Sequence, residues 1–432
     1  MLRMSAALLL LVALCAVVAQ GVDWERLDPV VEVRGIWLDA GAIPKTQDGI
    51  RQLVRRYHEA NLNVLFPEVI TRGYTVYPSK LVARAPRFAG APDPLPAMIK
   101  EAHALGMEVH PWVCLFRAGY TKDRGAILTA HPEWAELSKN LDDLSPNGGL
   151  WISPVVPEAR DFLACLLAEL VGNYEVDGLH LDYIRYEVET NVPYGYSEAS
   201  RALFERQYGI DPFDIDEISI HEYEWQKFRE RQINTFVQRI ALQTRSIRPA
   251  AKISAAVGSE PRSARLELVQ NWVNWVDNKW VDFIVPMAYS SDDQHFRGLV
   301  NLEKNAIGDR TILVPGIGLF AQKDPQQMVR QIGIARELGA GGQVLFASSY
   351  FKEAQSLALG QGPYRCAATL PFREPWTKSR KLCELATQLW NQGNCPEGDS
   401  FADRAVDLAD YAKYQEAEVR YVPPTAPPLE DP

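Results

Sequence analysis

Histidine and cysteine are scarce in this 432-residue chain, at seven and six residues, and neither His-x-His nor His-Glu-x-x-His spacing occurs. The common zinc signatures are therefore missing, and no metal or cofactor is expected. Basic residues are outnumbered, 45 Lys and Arg against 55 Asp and Glu, for a formal net charge of -10. Nucleic acid and anionic membrane are poor partners for such a chain, because both are bound through clustered Lys and Arg. Beyond residue 21 no apolar run is long enough to span a membrane. No tandem repeat is visible, and nothing in the sequence sets the oligomeric state.

What is present suits a large folded globule: 47% hydrophobic and 10% aromatic residues supply an ample core. Residues 1–21 read as a secretory signal, with Arg3 as its charge, Ala6 to Ala19 as its apolar core and Val17-Val18-Ala19 resembling a cleavage site. The core is roughly 14 residues, against about 20 for a spanning helix, so a secreted or periplasmic protein is expected. Leu14 before Cys15 argues against lipoprotein processing. In an oxidising compartment the crowding of Cys366, Cys383 and Cys395 suits one disulfide with one cysteine left over, whereas Cys114 and Cys165 fall in apolar patterns and are expected to be inert core thiols.

From Val31 to Ser349 short β-rich apolar runs alternate with helix-like stretches. Eight strands are predicted: Val31–Leu38, Asn63–Val69, Glu108–Val113, Val176–Asp182, Lys252–Val257, Phe283–Tyr289, Ile312–Leu319 and Gln343–Ala347. Eight βα units on a parallel sheet close a (β/α)8 TIM barrel, here assigned to residues 31–355. Its longest loops are expected after strands three and four. Residues 357–422 read as a small helical C-terminal appendage, and the proline-rich acidic residues 423–432 as a disordered tail.

The stretch that organises the barrel is Val176-Asp177-Gly178-Leu179-His180-Leu181-Asp182-Tyr183-Ile184-Arg185-Tyr186, a buried strand ending in polar and aromatic groups. Side chains alternate along a strand, so His180 and Asp182 share the inward face and Leu179, Leu181 and Tyr183 the outward one. An imidazole and a carboxylate together at a strand's carboxyl end suit proton transfer; the plainer reading is a satisfied polar pair bracing the barrel mouth.

The other strand ends add Arg34 and Trp37, Glu68 and Arg72, His110 and Trp112, Arg185 and Tyr186, Glu260, and Tyr289 with Asp292. Carboxylates, arginines and aromatics mixed at one mouth suit a sugar, whose ring faces stack on aromatic rings while its hydroxyls bond charged groups. Asp182 is expected to be the principal catalytic carboxylate, with His180 tuning its protonation and Glu260 as first choice of second acid, ahead of Asp292 and, last, Glu68. Arg34, Trp37, Glu68, Arg72, His110, Trp112, Arg185, Tyr186, Tyr289 and Asp292 are expected to line the substrate cleft. Glu68 has a structural alternative as the ion-pair partner of Arg34 or Arg72, and Trp37 and Trp112 as core residues.

These residues resemble the glycosyl-hydrolase-like family ten. The matching segments are Glu32-Val33-Arg34-Gly35-Ile36-Trp37-Leu38, Arg72-Gly73 with Tyr77-Pro78-Ser79, Gly106-Met107-Glu108-Val109-His110 with Trp112, His131-Pro132-Glu133-Trp134, and Asp177 to Tyr186. The resemblance implies a TIM barrel with glycosidase activity on a bacterial extracellular glycan, foremost peptidoglycan glycan strands. Two departures stand out: Cys114-Leu115 and Ser153-Pro154 occupy places where many members have Asn-Pro, and Asp182-Tyr183 stands where some have two acids. A fainter similarity to chitinases rests on Met287-Ala288-Tyr289, but Ile184 stands where their donor glutamate should be.

The expected function is glycoside hydrolysis on a polysaccharide. The alternatives are a non-catalytic glycan-binding barrel and, behind it, a metal-dependent polysaccharide deacetylase.

Overall fold

A computed structural model of the chain describes residues 31–188, 192–216 and 218–373. Eight strands alternate with eight helices in it. The strands are β1 (Val33–Leu38), β2 (Val64–Thr71), β3 (Glu108–Val109 and Trp112–Cys114), β4 (Gly178–Asp182), β5 (Lys252–Val257), β6 (Phe283–Pro286), β7 (Ile312–Leu313 and Gly316–Gly318) and β8 (Gly342–Phe346). The helices that follow them in turn are α1 (Gln47–Glu59), α2 (Pro94–Ala104), α3 (Pro157–Asn173), α4 (Ile220–Ile247), α5 (Trp272–Asp277), α6 (Asp293–Ile307), α7 (Pro325–Glu337) and α8 (Glu353–Gln361).

Every neighbouring pair of strands is parallel, and β8 pairs back onto β1 through Val33 with Gly342 and Ile36 with Leu345. The ring is completed through the two pieces of β7, the first bonded to β6 and the second to β8. Prolines account for the interruptions predicted as continuous strand. Pro111 and Pro315 each bring no N–H to the ladder, and β3 and β7 break there into two short pieces. Likewise β6 stops at Pro286 instead of reaching Tyr289.

Alternation divides the apolar residues. Val33, Trp37, Phe66, Trp112, Phe283, Val285 and Val344 pack in the barrel interior, while Ile36, Leu38, Leu65, Leu179, Leu181 and Ile253 face the helices together with Trp272 and Trp275. Gly35 leaves the interior open for the Phe66 ring, which a β-carbon there would meet at 2.6 Å. Two of the helices start on side-chain caps: Thr46 accepts from Gly49 N to cap α1, and Asp324, ahead of Pro325, accepts from Gln327 N to cap α7.

The long loops after β3 and β4 carry the short helices Gly125–Ala130 and Glu198–Tyr208. Helix α8 runs across the expected domain boundary at 355–357. The chain then turns under the barrel, where Thr369 bridges to Val31, Leu370 joins the interior cluster and Phe372 stacks on Phe283 at 5.3 Å. Cys165 is exposed on α3, a correction to its expected place in the core, and Cys114 is buried. The proposed signal (1–21), Cys383, Cys395, and the bulk of the appendage and tail lie outside the described residues. Among the described residues no helix is long and apolar enough to cross a membrane.

Candidate active site

Strands β2, β3 and β4 lie side by side and deliver their last inward residues to one place. Glu68 is in register with Trp112, and Cys114 with Asp182. Period-two alternation puts Glu68, Trp112, Cys114 and Asp182 on the interior face. All four line a cleft of about 610 Å³ at the carboxyl ends of the strands, with Trp37, Arg72, Arg117, Tyr183, Arg185 and Tyr289 among the other walls.

Asp182 is 6% exposed. Its Oδ2 accepts from Trp112 Nε1 at 2.8 Å and its Oδ1 from Tyr183 N at 2.6 Å. Burial pushes its carboxyl up to about 6, against the opposing pull of the Tyr183 N–H, the Arg185 charge and the Trp112 N–H, while the Glu68 charge adds to the rise. The Glu68 carboxyl is also raised, chiefly by burial, although Oε2 accepts from Ala40 N at 2.9 Å. The Cys114 thiol, 3.7 Å from Glu68 Oε1, is held well above its ordinary value by burial beside two acids. It therefore stays a thiol. Two carboxyls whose hold on a proton is strengthened by burial thus share one cleft, an arrangement suited to general acid–base work.

One wall of the cleft is an alternating stack of cations and rings. Arg72 lies 4.7 Å over Tyr120, and Arg117 lies 4.3 Å from Tyr120 and 5.2 Å from Tyr183. Arg185 continues the stack at 5.0 Å from Tyr183 and 5.1 Å from Trp151. Arg72 reaches this wall because Arg72 and Gly73, both with positive φ, form the two-residue turn between Thr71 and Tyr74. Gly73 and Gly125 both abut Ala118 O, where a β-carbon would stand 2.6 Å and 2.0 Å away, so only glycine lets these loops close together.

Tyr183 was expected outside the barrel with the leucines. Its φ of +50° breaks the strand's alternation, and the ring turns into the cleft to accept from Arg117 Nη1 at 3.0 Å. Arg117, Tyr120 and Trp151 were not singled out from the sequence. The signal available was the recurrence of arginine and aromatic residues in the long loop after β3.

The structure also moves several expected residues away from the cleft. His180 does share the inward face with Asp182, but a layer deeper. Trp37 Nε1 donates to its Nε2 at 2.9 Å, leaving the proton on Nδ1, 2.8 Å from Ser254 Oγ. Burial holds the ring neutral, with its pKa well below the ordinary value. His180 thus braces Trp37, and the groups that contact the Asp182 carboxyl are Trp112 and the Tyr183 backbone. Arg34 has the opposite parity to Trp37 and faces the helical layer, where it pairs with Glu32 at 2.8 Å and lies over Tyr364. It pairs with Glu32 and not with Glu68. His110 is interior but low in the barrel, bonded to Glu108 at 2.9 Å and seated on Gly178. Tyr186 is buried, its N–H on Leu268 O and its ring beside Arg229.

Glu260 and Asp292 are helix caps. Glu260 caps the short helix Pro261–Glu267, accepting from Arg262 N and Ser263 N, and Asp292 accepts from His295 N ahead of α6. Neither is among the cleft-lining residues. The acids that line the cleft with Asp182 are Asp39, Glu68 and Asp123, and of these Glu68 stands on β2, in register with Trp112. Among the described residues no group of three His, Cys, Asp or Glu is arranged to hold a metal.

The sequence profile of a family described as Glycosyl hydrolase-like 10 matches residues 32–317. Glycosyl hydrolase YngK of Bacillus subtilis is 26% identical over 283 residues, 57% of this chain and 51% of that protein. Glycosyl hydrolase DigH of Escherichia coli K12 is 23% identical over 263 residues, 53% of this chain and 54% of that protein. The chain thus spans about half the length of the curated relatives it matches. In fold it is similar to the PgaB (BpsB) glycoside hydrolase domain of Bordetella bronchiseptica, with a TM-score of 0.61 and 15% identity over 76% of this chain and 98% of that one.

Proposed function

The chain belongs to the glycosyl hydrolase-like 10 family, and from that premise we propose that it hydrolyses glycosidic bonds in a bacterial extracellular glycan, peptidoglycan glycan strands in the first place. The observation that carries the reading is the pairing of Asp182 with Glu68 in one cleft walled by aromatic rings. Asp182, with its carboxyl near 6, gives its proton to the glycosidic oxygen as the bond breaks. Glu68, one strand beyond Trp112, supplies the second carboxylate, stabilising positive charge at the anomeric carbon and serving the incoming nucleophile. The part-exposed Tyr183 and Tyr289 offer ring faces to the sugars, over a buried floor of Trp37 and Trp112.

Support for peptidoglycan comes from the guanidinium wall. Arg72, Arg117 and Arg185 line the cleft of a chain that carries a net charge of -10. A local cationic wall in an acidic protein selects a carboxylate-bearing sugar, such as one with the lactyl ether of muramic acid, over a neutral glycan. Export of the chain by the predicted signal would bring it to such a substrate.

The test is incubation of the purified protein with peptidoglycan sacculi, followed by mass spectrometry of the released fragments, with Asp182→Asn and Glu68→Gln in parallel. Fragments with new reducing ends, lost in both variants, are the expected result. Retention of the protein on sacculi without any release would make it a glycan-binding barrel and sink the catalytic assignment.

A further inference from the structure

The cleft does not end at its own walls. Tyr289, on its lining, stacks on Phe346 at 5.2 Å and meets Phe320 edge-on at 5.5 Å, and Phe320 in turn lies 5.9 Å from Tyr350. Phe320 and Tyr350 are 49% and 47% exposed. They stand on the short helical turns Leu319–Ala321 and Ser348–Tyr350 that directly follow β7 and β8, hence on the same carboxyl face as Asp182.

Two large exposed rings side by side are costly in water and need a reason. Their surroundings fix them in place. Gln322 Nε2 donates to Gly318 O, closing the turn under Phe320. Gly318 itself is bare where a β-carbon would press on both Phe320 and Tyr289. Asp39, a cleft-lining acid, accepts from Ser348 Oγ at 3.0 Å and Ser349 N at 3.2 Å, tying the Tyr350 turn to the cleft wall.

We propose that Phe320 and Tyr350 form a distal sugar-binding platform, continuous with the cleft through Tyr289 and Phe346, that holds the pyranose ring faces of a polymeric glycan. The inference rests on the reading of the cleft as a glycan site. It adds a direction: the arginine stack lies on the side of the β2, β3 and β4 loops and the ring platform on the side of the β7 and β8 loops. A bound strand then runs from a carboxylate-bearing sugar at the arginines on the first side to sugar ring faces stacked on the aromatic pair on the second. Exposed, pre-positioned aromatic rings suit sugar faces, which offer C–H groups to the ring and keep their hydroxyls in water. A platform outside the cleft is useful only to a chain long enough to reach it, so the protein prefers long strands over short ones.

The experiment uses peptidoglycan glycan fragments of two and of eight sugars, titrated calorimetrically into the full chain carrying Asp182→Asn so that nothing is cleaved. Adding Phe320→Ala or Tyr350→Ala should lower the eight-to-two affinity ratio roughly tenfold, the scale of one lost ring contact, and Phe320→Trp should restore it. Equal losses on both lengths, or no loss on either, would overturn the platform. Self-association that disappears in Phe320→Ala, with glycan affinity unchanged, would assign the rings to a contact between copies and overturn it too. Length-dependent binding by the variant, beside a parent chain that releases no fragments from sacculi, would support the platform while refuting only the hydrolase reading. Binding of neither fragment would refute both.

Discussion

Trp112 Nε1 and Tyr183 N each donate to a separate oxygen of Asp182, at 2.8 Å and 2.6 Å. The carboxylate is thus hydrogen-bonded in its charged form, yet burial outweighs these bonds and leaves the group near 6. A proton held at that level is available to a leaving oxygen. Replacement of Asp182 by Asn should lower hydrolysis on the order of 10³-fold while leaving glycan affinity within a few-fold. Turnover within tenfold of the parent would show that the acid lies elsewhere.

The Trp112 bond lowers the Asp182 pKa, so its removal should do the reverse. For a general acid, activity is lost as pH rises through that pKa. In Trp112→Phe the alkaline limb of kcat/KM should therefore move to higher pH than in the parent, where it is expected near 6. A limb that stays put, or moves down, would separate Asp182 from the proton donor.

The same carboxyl gives a stability signature. Its folded pKa lies above its unfolded value of 3.8, so the folded state holds the proton more tightly and this contribution is fully present below pH 3.8. It is lost as pH rises towards about 6. Asp182→Asn has no such loss. The stability of the variant relative to the parent should climb between pH 4 and 6 by up to about 3 kcal/mol, at 1.36 kcal/mol per pKa unit. Urea unfolding at several pH values measures it, and a flat difference would contradict the burial argument. The gain is offset by a constant cost, because the Asn amide turns a donor towards either Trp112 or Tyr183.

Arg117 stacks between Tyr120 and Tyr183. Arg117→Gln removes the charge and should weaken binding of a carboxylate-bearing glycan fragment about tenfold, in the range of charge-assisted hydrogen bonds. Binding of a neutral oligosaccharide should fall less, and the sensitivity of binding to added salt should diminish. Equal losses for both ligands would mean that the side chain only holds the wall together.

Glu260 and Arg34 test the structural assignments. Glu260→Ala removes the cap on Arg262 N and Ser263 N and should cost about 1 kcal/mol of stability, with kcat within twofold of the parent. Arg34→Met leaves the buried Glu32 paired with the part-exposed Arg336 and should cost about 3 kcal/mol, with an unchanged KM for the folded fraction. A drop in kcat in Glu260→Ala without a shift in Tm would restore it as a catalytic candidate.

Much of this arrangement was legible from residue order. Alternation placed Asp182 inward at a strand's carboxyl end, and the eight βα units gave the barrel. Alternation also held the answer for Arg34, which differs in parity from Trp37 on one strand and so cannot share its face. It tells face but not height: His110 and His180 point inward, yet they fill lower layers, among Phe66 and Phe283. The Ser259-Glu260-Pro261 sequence carried a helix-start signal that was overshadowed by its position after β5. Tyr183 was out of reach, because a left-handed residue in the middle of an apolar run has no sequence marker when it is not glycine or asparagine.

The stack of Arg72, Tyr120, Arg117, Tyr183, Arg185 and Trp151 draws its members from the segments after β2, β3 and β4. For anyone wishing to alter specificity by exchanging loops, these three segments are therefore not separate parts. A loop imported alone would leave a guanidinium without its ring or a ring without its cation. The three must be transplanted as a set, whereas the turns after β7 and β8 share no member with the stack and can be left in place when it is exchanged.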